Sequence, residues 1–143
     1  MNNIAMSRLV RFGVSLEKGL LDKFDAFCAE RGYGSRSEAL RDLIRQELIK
    51  KEWRGEEEVA GAVTLVFDHH RKDLVGRLTD LQHDYQRIII STQHVHLDHD
   101  NCLEIIAVRG GPDDVRRLAD TLRTIKGVKH GTVSMSSTGK DLE

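Results

Sequence analysis

Hydrophobic residues recur along this chain with two periods, and the switches between them mark its elements. Residues 9–16 alternate, with Val10, Phe12, Val14 and Leu16 on one side and Arg11, Gly13 and Ser15 on the other; that is the period of a strand. A helix-spaced stripe follows in Leu20, Leu21, Phe24, Phe27 and Cys28. It predicts a helix from about residue 18 to 31, ending at Gly32, a residue suited to the left-handed cap. Ser35-Arg36-Ser37-Glu38 has the spacing of a capping box. The second helix that it opens runs on Ala39, Leu40, Leu43, Ile44 and Leu48, with Arg36, Arg41 and Arg45 on its other sides. About forty residues of strand, helix and helix are too few for an independent core, and one short strand needs a partner. The segment is therefore expected to form an intertwined dimer in which the strands of two chains pair antiparallel.

The run Glu52-Trp53-Arg54-Gly55-Glu56-Glu57-Glu58 breaks the periodicity and reads as a linker. Beyond it the pattern predicts a strand over residues 61–67, a helix over 71–85, strands over 87–97 and 103–109, a helix over 113–125 and a strand over 128–135. Gly110-Gly111-Pro112 precedes the last helix and Gly127 follows it, as helix ends prefer. The order βαββαβ is the split ferredoxin-like arrangement. The fold class is thus α+β: a strand–helix–helix module over residues 1–51, a linker over 52–58, a ferredoxin-like module over 59–136, and a polar, loose tail beyond.

Composition narrows the class. With 39% hydrophobic and 31% charged residues the chain reads as a soluble globular protein. It shows no run long enough to span a bilayer and no apolar signal region at its N-terminus, so a cytoplasmic location and no membrane partner are expected. Two cysteines do not make a disulfide framework. Cys28 belongs to a core stripe, which leaves Cys102 available as a thiolate. Residues 1–51 carry ten Lys/Arg against seven Asp/Glu, and residues 52–143 twelve against sixteen. The basic balance of the first module suits contact with nucleic acid.

The chemistry concentrates in the second module. Gln93-His94-Val95-His96-Leu97 alternates, so the imidazoles of His94 and His96 project from one face, about 6.6 Å apart along the strand. Asp98-His99-Asp100-Asn101 reads as a turn, and Cys102 opens the returning strand. A loop of residues 99–101 would set Cys102 across from Asp98, on the face of His96, whereas a four-residue loop would point the sulfur the other way. Imidazoles beside a thiolate make a strong transition-metal site. Three donors are too few for a closed site. On its predicted helix, His83 stands about 180° from Leu74, facing away from the stripe Leu74, Leu78, Leu81 and Tyr85. It can complete the site only if a neighbouring subunit brings its own triad there, so the spacing favours a site shared between chains.

Residues 9–135 together resemble the nickel-responsive transcriptional regulators of bacteria and archaea, which join a ribbon-helix-helix domain to a ferredoxin-like metal-binding domain. The resemblance is carried by Ser35-Arg36-Ser37-Glu38-Ala39-Leu40-Arg41-Asp42, by Gln82-His83, and by the run from His94 to Glu104. It implies one Ni²⁺ per subunit in a square-planar site, with His94, His96 and Cys102 from one chain and His83 from its neighbour. It implies Gln82 and Glu104 behind those ligands, where they fix imidazole orientation. It also implies a homotetramer, a dimer of DNA-binding dimers, acting on double-stranded operator DNA. The ribbon would place Arg11, Gly13 and Ser15 against base edges in the major groove, and the start of the second helix, near Ser35 and Ser37, against a phosphate. The chain departs from some relatives, for Asp84-Tyr85-Gln86 follows His83 where they carry a His-rich run. His69, His70 and His99 are candidates for secondary metal binding or simply exposed histidines. Glu38 and Asp42 match an inter-domain cation site of the family or form an ordinary acidic face.

The leading expectation is a nickel-dependent repressor of metal-uptake genes. A metalloenzyme would need an open coordination position and a nearby base, and no acid/base pair, phosphate loop or nucleophile motif is found. Two alternatives stay open: a ribbon-helix-helix regulator sensing Cu²⁺ or Zn²⁺ through the same donors, and one sensing a small molecule such as an amino acid.

Overall fold

The computed structural model describes residues 9–142; residues 1–8 of the first module and Glu143 of the tail lie outside the described residues. The described chain forms two compact units, one ending at Glu47 and joined by the last residues from Asp141, the other spanning Leu48–Lys140.

In the first unit, α1 (Lys18–Arg31) ends at Gly32 with φ 73°. That left-handed position turns the N–H groups of Gly32 and Tyr33 onto the carbonyls of Ala29 and Cys28, where an L side chain would be strained. α2 (Arg36–Glu52) is capped by Ser35, whose Oγ accepts from the Glu38 N–H at 3.2 Å. The reciprocal half of the box shifts by one residue: Glu38 Oε2 accepts from the Gly34 N–H at 3.0 Å, since its side chain reaches past Ser35. Arg36 joins the helices through a two-pronged pair with Asp25 at 2.7 and 2.8 Å; at an exposed site this contributes little. Residues 9–16 form no ladder within the chain, and Val10, Phe12 and Val14 remain exposed. The strand expected there is not formed by one chain, because a strand exists only against a partner backbone.

The second unit holds β1 (Val59–Asp68), α3 (Lys72–Asp84), β2 (Ile89–His96), β3 (Asn101–Gly110), α4 (Pro112–Thr124) and β4 (Val128–Met135). The sheet order is β2-β3-β1-β4 with every neighbour antiparallel, the βαββαβ arrangement read from the sequence. Val63, Leu65 and Phe67 of β1 share a core with Cys102, Ile106 and Val108 of β3, under Leu74 and Leu78 of α3 and Val115, Leu118 and Leu122 of α4. β2 begins at Ile89 rather than residue 87, because Tyr85 and Ile88 close a turn after α3.

β1 at Val59 and β3 at Asn101 each begin two residues before the expected positions, and the linker reading fails at Trp53. Trp53, assigned above to the charged linker, is 1% exposed and part of the core. Its indole N–H donates to the Ser136 carbonyl at 2.7 Å, and the Arg116 guanidinium both donates to its carbonyl and lies over its ring. A single large apolar side chain outweighs the charges beside it, because burying the indole removes far more apolar surface from water than any neighbour requires exposed. Ser136, the last residue expected of the module, is held from both sides, since its N–H also donates to the Ala60 carbonyl.

Candidate functional site

In the hairpin of β2 and β3, residue pairs that face each other lie on one side of the sheet. The register sets His96 opposite Cys102 and His94 opposite Glu104. Five residues, 97–101, therefore separate the paired donors. The odd connection that the sequence demanded is present, but Cys102 faces His96 rather than Asp98. The reason is local. The Leu97 N–H donates to the Asn101 carbonyl at 2.9 Å, and the Asp98 carboxylate caps the turn by accepting from the N–H groups of Asp100 and Asn101. Those bonds, with the Asn101 side chain foremost, hold the Asp98 carboxyl below its usual pKa.

Cys102 Sγ stands 3.3 Å from His96 Nδ1 on the face that packs against the helices. The sulfur is fully buried. Burial, then the charges of Asp98, Glu104 and Asp68, push its thiol above the ordinary value, so that without a cation beside it the sulfur keeps its proton at neutral pH. His94 is next to His96, ring centres 5.1 Å apart, and its Nδ1 lies 3.7 Å from Glu104 Oε2. Glu104, 6% exposed, is held in turn by the Gln82 amide of α3, whose oxygen accepts from the Thr92 hydroxyl at 3.2 Å. Thus Gln82 and Glu104 form a connected polar layer behind His94, as a site needing a fixed imidazole requires.

Among the described residues, the donor atoms grouped around Cys102 within 4.8 Å of one another are those of His69, His96 and Cys102, and no such group joins His94 to them. The His69 ring is 5.2 Å from that of His96, and its Nδ1 is buried without a hydrogen-bond partner. The sequence reading left His69 among exposed or secondary histidines. Only the pairing of β1 with β3, Asp68 opposite Asn101, brings it to the end of the metal hairpin. A buried nitrogen without a hydrogen-bond partner, a second imidazole and a thiol are a donor set that a borderline or soft transition ion takes. His83 is exposed and belongs to a shallow cleft with Thr79, Gln82, Gln86 and Ile89, apart from the donors of its own chain.

In the first unit Arg11, Gly13 and Ser15 are exposed, as are Ser35 and Ser37. Glu38 and Asp42 are both engaged locally: Asp42 accepts from the Tyr33 hydroxyl and from the Gln46 amide at 2.9 Å. Donating this hydrogen bond to Asp42 raises the pKa of Tyr33.

Residues 60–136 match the family described as NikR C terminal nickel binding domain, and residues 10–51 match the ribbon-helix-helix protein, copG family. A protein of Syntrophus aciditrophicus that bears the name of a nickel-responsive regulator is 57% identical, over 94% of this chain and 98% of its own length. One of the same name from Chlorobium limicola is 58% identical, over 94% of this chain and 100% of its own. Among solved structures, an uncharacterized protein from Thermotoga maritima superposes with a TM-score of 0.51 at 16% identity, covering 55% of this chain and 98% of that one; this likeness concerns the fold alone.

Proposed function

Because the chain belongs to the family of nickel-responsive regulators, in which a DNA-binding ribbon-helix-helix module precedes a nickel-binding domain, we propose that it represses genes of nickel uptake in the cytoplasm when Ni²⁺ is bound. It is a transcriptional regulator and not an enzyme. The observation that carries the proposal is the contact of Cys102 Sγ with His96 Nδ1 across one strand pair, beside His94 and the Gln82–Glu104 layer. His94, His96 and Cys102 would hold one Ni²⁺ per subunit, with His83 supplied by a neighbour. The exposure of His83 away from its own hairpin supports that division, and a homotetramer of two DNA-binding dimers provides the neighbour. Ni²⁺ supplies a cation that favours the thiolate and fixes the imidazoles. Its effect on operator affinity equals its differential affinity for the two arrangements of the DNA-binding halves.

The test is a mixture. His83→Ala and Cys102→Ser each spoil every site of a homotetramer. When the two variants are unfolded and refolded together, some sites pair an intact hairpin with an intact His83, and a fraction of tight Ni²⁺ sites should return. If verified mixed tetramers recover none, all donors come from one chain and the shared site is wrong. Operator titration of the parent with and without stoichiometric Ni²⁺ tests the response itself; equal affinity in both would overturn nickel dependence.

Arg11→Ala is expected to weaken specific operator binding by about 1–3 kcal/mol if its guanidinium pairs with a base edge, with Ni²⁺ uptake unchanged. Affinity and sequence preference equal to the parent at matched salt would remove Arg11 from the reading surface. Ser15 and the capped helix start near Ser35 and Ser37 complete the proposed contact. Gly13 presents no side chain there, so the operator should differ at that step from one read by a hydroxyl.

A further inference from the structure

The pairing of β1 with β4 has an irregularity. The register steps from Val66 opposite His130 to Phe67 opposite Val128. Lys129 is therefore an extra residue on β4, a bulge, and a bulge re-aims the side chain that it carries. Its Nζ donates to Asn101 Oδ1 at 2.5 Å. β4 and β3 are not neighbours, for β1 lies between them, so the contact reaches across a strand. We infer that Lys129 is a positioning residue for the metal centre: it holds the Asn101 side chain and, through it, the turn that sets Cys102 opposite His96.

Every polar atom of Asn101 is engaged in that turn. Its N–H donates to Asp98 Oδ1 at 2.7 Å, and its carbonyl accepts from the Leu97 N–H at 2.9 Å. Its amide nitrogen donates to both Asp98 oxygens, at 3.0 and 2.9 Å. A carboxylate only accepts and an ammonium only donates. The Asn101 amide must therefore turn its nitrogen to Asp98 and its oxygen to Lys129; the opposite orientation would set like against like at both ends. Asp98 holds the turn from within, and Lys129 ties it to β4. Cys102 is the next residue along the chain. A slip of one residue there would move its sulfur to the other face of the sheet.

The contact is exposed and so contributes little to the stability of the fold. Its effect is on order, since a donor set fixed in advance loses less freedom when an ion arrives. The inference rests on the ligand reading proposed above, in which His96 and Cys102 hold Ni²⁺. Charge alone argues the other way. Capture of Ni²⁺ with release of the thiol proton adds positive charge to the site, so removing a nearby ammonium should strengthen binding by Coulomb's law. Loosening the turn weakens it. The sign of the effect separates the two.

The test compares Lys129→Ala with Lys129→Arg, which restores a cationic donor. In the metal-free protein, exchange of the Asp100 and Asn101 amide hydrogens should be about tenfold faster in the alanine variant and close to the parent's in the arginine variant. Ni²⁺ affinity of the alanine variant should fall by about tenfold, again with recovery by arginine, while the urea midpoint of the metal-free protein stays as in the parent. Exchange and affinity equal to the parent's overturn the inference. So does an affinity that rises, or a change in one of the two without the other. A lowered urea midpoint would mark a general role in folding and overturns it as well. The exchange measurement needs no metal: if the parent shows no sulfur-to-nickel absorption the ligand reading fails, and the exchange rates still decide whether Lys129 holds the turn.

Discussion

Replacing Trp53 by alanine is expected to destabilise the C-terminal unit by about 3–5 kcal/mol, the range for truncating a buried large aromatic residue. The indole is 1% exposed and sits so close to β1 that a Cβ on Gly61 would come within 3.1 Å of its ring and 2.6 Å of the Ser134 carbonyl. Strand and ring can approach this closely only because residue 61 has no side chain. Truncation leaves a cavity under β1, takes the donor from the Ser136 carbonyl and removes the face beneath Arg116. Trp53→Phe keeps most of the packing but not the bond to Ser136, worth about 1 kcal/mol, and should fall between parent and alanine variant. Trp53 is the one tryptophan of the chain, so unfolding in urea is best followed by far-ultraviolet circular dichroism, with amide exchange of β1 and β3 as the local readout. An alanine variant with the parent's urea midpoint and the parent's exchange protection would show that the ring does not hold the sheet.

Cys102→Ser should abolish tight Ni²⁺ binding and, with it, the Ni²⁺-dependent part of operator affinity. A serine hydroxyl stays protonated at neutral pH and is a poor ligand for a transition ion, whereas the thiol can be converted to a strong donor. The change is small in volume, and the cost of burying a hydroxyl at this site, about 1–3 kcal/mol, is checked by thermal unfolding of the metal-free variant. A pH dependence accompanies the prediction. Burial and the carboxylates of Asp98, Glu104 and Asp68 raise the thiol's pKa, so the metal-free sulfur carries a proton at neutral pH and capture of Ni²⁺ must release it. Added protons compete for the same sulfur and for the imidazoles, hence affinity falls as pH falls and rises as pH approaches the raised value. Calorimetric titration in two buffers of different ionisation enthalpy counts the protons released. If the serine variant keeps the parent's absorption spectrum and its full Ni²⁺ response, the sulfur is not a ligand.

How much of this was legible beforehand depends on how far apart in the chain the interacting residues lie. The period of apolar residues located all six elements of the second unit and both helices of the first, since period, cap and breaker are properties of neighbouring residues. The same alternation put His94 and His96 on one face. Parity required an odd connection to Cys102, because a slip by one residue exchanges the faces of a strand. Parity could not choose between Asp98 and His96 as the partner of Cys102; that choice was made by the Asp98 carboxylate turning onto the N–H groups of Asp100 and Asn101. Nor could local pattern bring His69 to His96, or His70 to His99, for those meetings depend on β1 pairing with β3, a contact between segments more than thirty residues apart. Trp53 shows the same limit from the other side. Its charged neighbours describe a linker, and only the docking of Ser136, Arg116 and Gly61 around the indole makes it core. Elements, their faces and the kinds of donor available thus follow from neighbouring residues along the chain. Which donors meet is settled in the folded sheet, because register and long-range pairing are set by packing free energy summed over all its strands and are written in no single stretch of the chain.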